Sequence, residues 1–256
     1  MFYDVAIVGA GPAGSTAAYF LLKKGYKVAL IDKSKFPRDK PCGGGLTANV
    51  LKRYKDLLTD EMIESYSYGG YTVSPSLEYN LDFESSEPII AMTLRKKFDY
   101  GLLKNAIKNG ADFKEENKVV DLKISKDNAT IYLEDGTKVD SKIVIGADGV
   151  WSVIAKKAGL RQKGHQVGVC VVEEYESDEK TVDKYFGKLR KGYVHSKFKK
   201  LAGYGWVFAK KRHINIGLGE LEYNPNKKTK TNLEEVYRDY ITFLKKEKII
   251  PEQIKI

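Results

Sequence analysis

Six residues near the start of the chain, Gly9-Ala10-Gly11-Pro12-Ala13-Gly14, have the spacing of a phosphate-binding turn. An apolar run, Val5-Ala6-Ile7-Val8, precedes them, and an apolar helical pattern follows. A second apolar run, Val28-Ala29-Leu30-Ile31, ends in Asp32. Gly9 permits a tight turn, Gly11 lets backbone approach a pyrophosphate, and Gly14 lets helix and strand pack closely. The helix start, with Pro12 and Ala13 in its first turn, offers unpaired N–H groups and the positive end of its dipole to phosphate. Asp32 can accept from a ribose 2′-OH. The plainer alternative is a glycine-rich turn in an ordinary βαβ unit. Strand, helix and acid in register favour a dinucleotide site.

Bulk properties narrow the class. The 256 residues suffice for one large core or two closely connected domains. The chain is 42% hydrophobic and 30% charged, an ordinary balance for a soluble globular protein. No apolar run approaches bilayer length, and the first strand begins at once, so neither a membrane span nor a signal peptide is expected. The expected location is the cytoplasm, with the inner membrane surface allowed. Cys42 and Cys170 are too few for a disulfide framework, and His165, His195 and His213 lack metal-ligand spacing, so no metal is expected. The net charge is +10, but only seven of the basic residues are arginine and the lysines are spread among acids. Nucleic-acid sites favour arginine and aromatics on one face, so no nucleic-acid partner is expected. A solvated lysine-rich surface is the plain reading. Attraction to anionic lipid headgroups or a diphosphate is the functional one.

The elements that must position these residues follow from periodicity. A helix is predicted from Pro12 to Lys24 with Gly25 as its stop, then another from Thr47 to Leu58. Residues 66–92 alternate as strands broken by Ser-Pro and Ser-Ser-Glu-Pro turns. Residues 95–109 are helical, with Phe98, Leu102, Leu103, Ala106 and Ile107 on one stripe. A meander follows over 119–124, 130–133 and 138–145, turned at Asp135-Gly136. Ile143-Val144-Ile145 suits the centre of a sheet covered on both faces. Strands are predicted at 167–174, 180–186, 192–198, 203–208 and 214–218, and a helix over 232–246 with Thr231 as N-cap. The layout is interleaved: residues 1–60 and 93–160 build a nucleotide domain, and 61–92 and 161–256 a β-rich domain.

Four further segments carry chemistry. Lys40-Pro41-Cys42-Gly43-Gly44-Gly45-Leu46 places three glycines after a thiol. Such a run is costly in conformational entropy and makes sense where backbone lies against a flat ring, or else forms a flexible loop beside a buried thiol. Arg95 and Asp99 stand i,i+4 at a helix start, so Arg95 can serve an anion or a surface ion pair. Gly146-Ala147-Asp148-Gly149 ends an apolar strand, and Asp148 can also cap a helix over 150–158. Tyr204, Trp206 and Phe208 alternate and so share one strand face, as a pocket for a long apolar substrate or as ordinary core.

In order and spacing these segments, with Tyr204-Gly205-Trp206-Val207-Phe208 and Ile214-Asn215-Ile216-Gly217-Leu218-Gly219, resemble the geranylgeranyl reductase family. That family is a branch of the flavoproteins related to aromatic-ring hydroxylases. The resemblance implies an α/β fold: a Rossmann-like FAD-binding domain interleaved with a mainly antiparallel β-rich substrate domain. It implies FAD, with Gly9, Gly11, Pro12, Ala13 and Gly14 on the pyrophosphate and Asp32 and Lys33 beside the adenosine ribose. Arg95 would meet the phosphate or ribitol, Val119 the adenine through its backbone, and Asp148-Gly149 the pyrophosphate side. Cys42 to Gly45 would lie against the isoalloxazine, and Tyr204, Trp206 and Phe208 would bind substrate. The implied activity saturates isoprenoid double bonds of membrane-lipid precursors: reduced FAD gives a hydride, and Cys42 or water gives a proton. NAD(P)H or a ferredoxin would supply electrons, and a lipid substrate implies contact with a membrane surface. Two departures stand out. Ala209 replaces the family's proline, and the family's Gly-Asp-Ala-Gly segment does not occur after Gly219. The alternatives are an aromatic-ring monooxygenase, or a truncated, non-catalytic flavoprotein half that needs a C-terminal partner chain.

Overall fold

The computed structural model describes residues 1–161, 167–220 and 232–254. The chain opens with β1 (Phe2–Val8), α1 (Pro12–Lys23) and β2 (Val28–Ile31), the predicted βαβ unit. Then come β3 (Gly45–Thr47), α2 (Ala48–Arg53), β4 (Ser65–Ser67), β5 (Gly69–Val73), β6 (Asn80–Glu84) and β7 (Ile90–Met92). Next are α3 (Arg95–Lys108), β8 (Asp112–Lys114), β9 (Val119–Ile124), β10 (Ala129–Leu133), β11 (Lys138–Gly146) and α4 (Val153–Lys157). The last are β12 (Val169–Glu176), α5 (Glu179–Phe186), β13 (Gly192–Ser196), β14 (Gly203–Ala209), β15 (His213–Glu220) and α6 (Leu233–Lys246).

Among the described residues, 1–40, 57–59 and 95–161 form one compact unit, and 41–56, 60–94, 167–220 and 232–254 a second. The sequence reading put 41–60 in the first unit. The structure gives 41–56 to the second because β3 pairs with β7, whose other neighbour is β4.

The first unit is a six-stranded sheet in the order β8-β2-β1-β11-β10-β9. Four strands are parallel, and β9 and β10 join β11 as an antiparallel meander. Alternation along residues 5–8 splits their side chains between two cores. Val5 and Ile7 pack with Ala18, Val28, Leu30, Leu103 and Ala106, while Ala6 and Val8 pack with Ile131, Val139 and Ile154, a cluster that Tyr3 also joins. Pro12 opens α1 from an extended Gly11, where its missing N–H costs nothing. The helix closes in a Schellman pattern: Gly25 N donates to Leu22 O at 2.9 Å and Tyr26 N to Leu21 O at 3.2 Å. β11 is central, as expected, but not covered on both faces, for Ile143 is 58% exposed.

The second unit holds the sheet β12-β15-β14-β13-β5-β6, antiparallel except where β13 runs parallel to β5, and the small sheet β3-β7-β4. α6 lays Tyr237, Tyr240, Ile241 and Leu244 on the large sheet against Val207, Ile214, Ile216 and Leu218. Its N-cap is Asn232, which accepts from Glu234 N and Glu235 N. Thr231, the sequence candidate, lies outside the described residues. The segment 180–186 is helix α5, not a strand. Asp178 caps it by accepting from Thr181 N at 2.9 Å, and Val182 and Phe186 bury one helical stripe. The helix after Thr47 is also shorter than expected, ending at Arg53.

His195 on β13 is 1% exposed, and its Nδ1 lies 2.8 Å from the Tyr240 hydroxyl. Burial lowers its pKa from 6.5 to about 4. The unfolded chain therefore binds this proton between those values and the folded one does not. Stability is full above pH 6.5 and falls as pH drops toward 4, by about 2 kcal/mol between pH 7 and pH 5. Urea unfolding at the two pH values checks this. The loss should shrink in His195→Gln, and an equal loss in both proteins would exclude His195 as its source.

Candidate FAD site

In the first unit the turn after β1 is shaped by close backbone contact. Gly9 has φ +101°, and a Cβ there would lie 2.3 Å from Ala147 O and 2.9 Å from Asp148 N. A Cβ on Gly14 would lie 1.8 Å from Gly9 O. The two glycine-rich turns expected to share a phosphate region are thus neighbours, tied further by Ala147 N donating to Val8 O at 2.7 Å. Gly11 differs. A Cβ there would meet only Arg38 Nη2, at 3.5 Å, so backbone at this point is open. Gly11 gives α1 no side-chain cap, so its first-turn amides, Ala13 included, keep the positive helix end available.

Asp32 ends β2 and accepts from Ala10 N at 2.7 Å and Ser34 N at 2.8 Å. Those bonds hold the carboxylate beside the turn and leave it further lone pairs. Asn117 N donates to Asp32 O at 2.8 Å, which puts the start of β9, and Val119, near this acid. Lys33 is exposed and Val119 is buried.

Asp148 accepts from Val153 N at 2.7 Å, Ile154 N at 3.2 Å and the Ser152 hydroxyl. Asp148 therefore braces the start of α4, but the N-cap proper is Ser152, which accepts from Ala155 N at 2.9 Å. The helix spans 153–157 rather than 150–158. Gly149 follows with φ +84°.

Arg95 makes the i,i+4 pair that the sequence left open, with Nε 2.7 Å and Nη2 2.8 Å from the Asp99 carboxylate. Sequence reasoning missed the other partner. Arg38 Nη1 lies 2.9 Å from Asp99 Oδ2, and Asp99 is fully buried. That contact is an ion pair, and among the described residues Nη1, although buried, makes no hydrogen bond. A buried guanidinium donor wanting an acceptor, beside open backbone at Gly11, suits a pyrophosphate. The residues present fit the phosphate part of a dinucleotide.

In the second unit the segment Cys42–Gly45 is held from several sides. Gly44 has φ +73°, and its carbonyl accepts from Thr93 N at 2.8 Å and Thr93 Oγ1 at 3.0 Å. A Cβ there would sit 2.2 Å from Thr93 O and 3.0 Å from Lys210 Nζ. At Gly43 a Cβ would press on the Phe208 ring at 3.2 Å and on Trp206 Nε1 at 3.3 Å. Packing requires glycine at Gly44, while a Cβ at Gly43 or at Gly45, 3.1 Å from Ile90 Cγ2, would need its neighbours to shift slightly. Gly44 N approaches Cys42 Sγ at 3.4 Å, and the thiol is half-buried.

A buried polar chain anchors this loop. Trp206 Nε1 donates to Asn215 Oδ1 at 2.8 Å, and Asn215 Nδ2 reaches Cys42 O at 3.1 Å and Glu174 Oε2 at 3.0 Å. Lys210 Nζ pairs with the same carboxylate at 2.5 Å and is 1% exposed. Burial lowers the Lys210 pKa, and the Glu174 charge opposes that shift. Asn215 was legible as the polar member of a strand that otherwise alternates Ile214, Ile216 and Leu218 toward the core. Lys210 was not, since it reads as one of three adjacent basic residues in a turn.

Tyr204, Trp206 and Phe208 share one face of β14, with centroids 5.7 Å and 6.4 Å apart along the row. None belongs to the core cluster that takes Val207 and Ala209 from the other face, although Trp206 is itself buried. Trp206 is 8% exposed and Tyr204 41%. Gly217 makes room for the indole, since a Cβ there would sit 2.2 Å from it.

A model of the FAD-binding domain matches residues 2–238. The chain belongs to the FAD-binding domain family. FAD is the dinucleotide of this family, and the α/β architecture agrees with it. A digeranylgeranylglycerophospholipid reductase of Methanococcus vannielii is 30% identical over 230 residues, covering 86% of this chain and 56% of that protein. A menaquinone reductase of Mycobacterium tuberculosis is 33% identical over 230 residues, covering 85% of this chain and 55% of that protein. A solved geranylgeranyl bacteriochlorophyll reductase-like protein of Thermoplasma acidophilum superposes with TM-score 0.78 at 25% identity, covering 94% of this chain and 62% of that one. The chain thus spans a little over half the length of the curated relatives it matches. These likenesses bear out the sequence-level resemblance to geranylgeranyl reductases.

Proposed function

We propose that this FAD-binding domain serves an oxidoreductase that saturates carbon–carbon double bonds of isoprenoid lipids. The observation that carries this reading is the loop of Cys42 to Gly45, locked onto Trp206 and Phe208 of an aromatic face outside the core cluster of the second unit. Such a face offers a long apolar chain contact without hydrogen-bond demands, while one polar tip, the exposed Tyr204, remains. Names of relatives that act on a digeranylgeranyl phospholipid support the substrate class.

FAD, once bound and reduced, supplies the hydride of each saturation. The chain's part is to bind, orient and provide the proton. Backbone at Gly11 and the start of α1 would hold the pyrophosphate, with Arg38 as the charged donor. Cys42, fixed through its carbonyl by Asn215, gives a proton to the second alkene carbon, directly or through water. Each saturated bond takes up one hydride and one proton, and reducing equivalents come from NAD(P)H or a ferredoxin.

The test begins with the visible spectrum of residues 1–256 with and without added FAD. Uptake near one flavin per chain is expected. Under anaerobic reduction, a geranylgeranyl phospholipid should then gain two hydrogens per double bond by mass spectrometry. Flavin uptake without reduction of any prenyl lipid would overturn the substrate reading. No uptake at all would show that the site needs a further segment or a partner chain.

A further inference from the structure

In the second unit β5 and β13 are parallel neighbours, so the turns leaving them lie at the same end of the sheet. The turn after β5 carries Pro75, Leu77 and Tyr79; the turn after β13 carries Lys197, Phe198, Lys199 and Lys200. All of these except Tyr79 line, with Phe243 and Lys246 from the last turn of α6, an open groove of about 810 Å³. Its floor is apolar: Phe198 and Phe243 pack with ring centroids 5.4 Å apart.

Three features set this groove apart. Its rim is basic, and only Lys199 has a carboxylate, Asp239 at 2.5 Å. Among the described residues Lys197, Lys200 and Lys246 have no ion-pair partner. Beside the rim, apolar side chains stand in solvent, with Tyr79 73%, Leu81 64% and Leu77 37% exposed. The backbone is also held in a costly conformation. Leu77, Lys197, Lys199 and Lys200 are four of the seven non-glycine residues with positive φ among those described. Left-handed backbone in residues with a Cβ is disfavoured and collects at binding sites.

We propose that this end of the second unit docks on an anionic lipid bilayer. The lysines would meet headgroup phosphates, and Leu77 and Tyr79 would enter the boundary beneath them. Charge complementarity and the apolar residues together select this occupant. A free phosphate would use the lysines but leave the exposed Leu77, Tyr79 and Leu81 without a role. A nucleic acid would favour arginine, and none lines the groove. Amphipathic basic surfaces of this kind bind membranes by both terms at once. No helix among the described residues is long and apolar enough to cross a membrane. The inference stands apart from the reductase reading, because docking is measured without turnover.

The experiment is co-sedimentation of residues 1–256 with phosphatidylcholine vesicles, with and without added phosphatidylglycerol. Binding to the anionic vesicles alone is expected. Each lysine near an anionic surface contributes roughly fivefold, so Lys197→Glu/Lys200→Glu/Lys246→Glu should weaken binding by about a hundredfold or more. Leu77→Asp should weaken it separately, and Leu77→Phe should restore it. A control with the same charge change elsewhere, Lys108→Glu/Lys126→Glu/Lys180→Glu, should keep most of the binding. All these lysines are exposed, and far-UV circular dichroism checks that each variant folds. Equal loss in the two triple variants would reduce the effect to net charge and overturn the proposal. So would vesicle binding abolished by inorganic phosphate at constant ionic strength, which would make the groove a site for the free anion. Wild-type protein that ignores anionic vesicles would overturn it outright.

Discussion

Gly11→Val should leave the protein folded and cost about a hundredfold in FAD affinity, or about 2.7 kcal/mol. Gly14→Val should prevent folding of the first unit. Both positions belong to one motif, but their surroundings differ. At Gly11 an added Cβ meets only Arg38 Nη2, at 3.5 Å, and the far end of an arginine can move aside. The branched side chain would occupy the space where backbone must approach phosphate. At Gly14 the Cβ would stand 1.8 Å from Gly9 O, backbone against backbone, with Ala147 Cβ at 3.3 Å behind it. Relief requires moving α1 off β1, with a loss above about 4 kcal/mol, the range reserved for gross disruption. Thermal melts by circular dichroism and FAD fluorescence titration separate the two. A Gly11→Val protein that bound FAD like wild type would remove this turn from the cofactor site.

Asn215→Leu should be the most damaging change in the second unit that alters no backbone. It strips partners from Trp206 Nε1 and Cys42 O and removes one of two donors from the Glu174 carboxylate. Each buried group left without a partner costs about 1–3 kcal/mol, so the two together cost about 2–6 kcal/mol. Lys210→Met should cost less, although it removes a buried charge. The Glu174 side chain is 30% exposed, so water can solvate the carboxylate left behind. The local consequence is release of the Cys42 loop. Every 1.4 kcal/mol of lost local stability raises the open population about tenfold, and alkylation of Cys42 should accelerate accordingly. The measurement needs Cys170→Ser, because Cys170 is exposed and would react first. Unchanged Cys42 reactivity in Asn215→Leu would mean that Thr93 alone holds the loop.

The first βαβ unit, both glycine-rich turns and the aromatic row on β14 were legible in the sequence because each is a local pattern. Period-two alternation placed Tyr204, Trp206 and Phe208 on one face, and the βαβ spacing placed Asp32 at the end of β2, where it accepts from Ala10 N. What escaped was set by contacts between distant segments. Arg38 serves Asp99 across 61 residues, the difference between the two positions, and nothing near Arg38 marks it. Lys210 looks like any surface lysine until Glu174 and Gly44 close around it. Helix α5 was misread because eight residues give only two helical repeats, and its two buried positions also suit a strand. The three glycines were read as backbone against a flat ring; the structure shows them close against the protein's own Phe208, Trp206, Thr93 and Ile90.

The pairing of β1 with β11 has a consequence for how the chain acquires its structure. Val5 lies beside Ile143 and Val8 beside Gly146, so the central strand of the first sheet finds its second neighbour only after most of the chain exists. The intervening residues include a large part of the other unit. A nascent chain shorter than about residue 138 therefore displays β1 with an open, apolar hydrogen-bonding edge. Long-range pairing of this kind is slow, because loop closure precedes its reward. The dinucleotide turn, contiguous in sequence, gains its close contact with Ala147 only once that distant residue has been made.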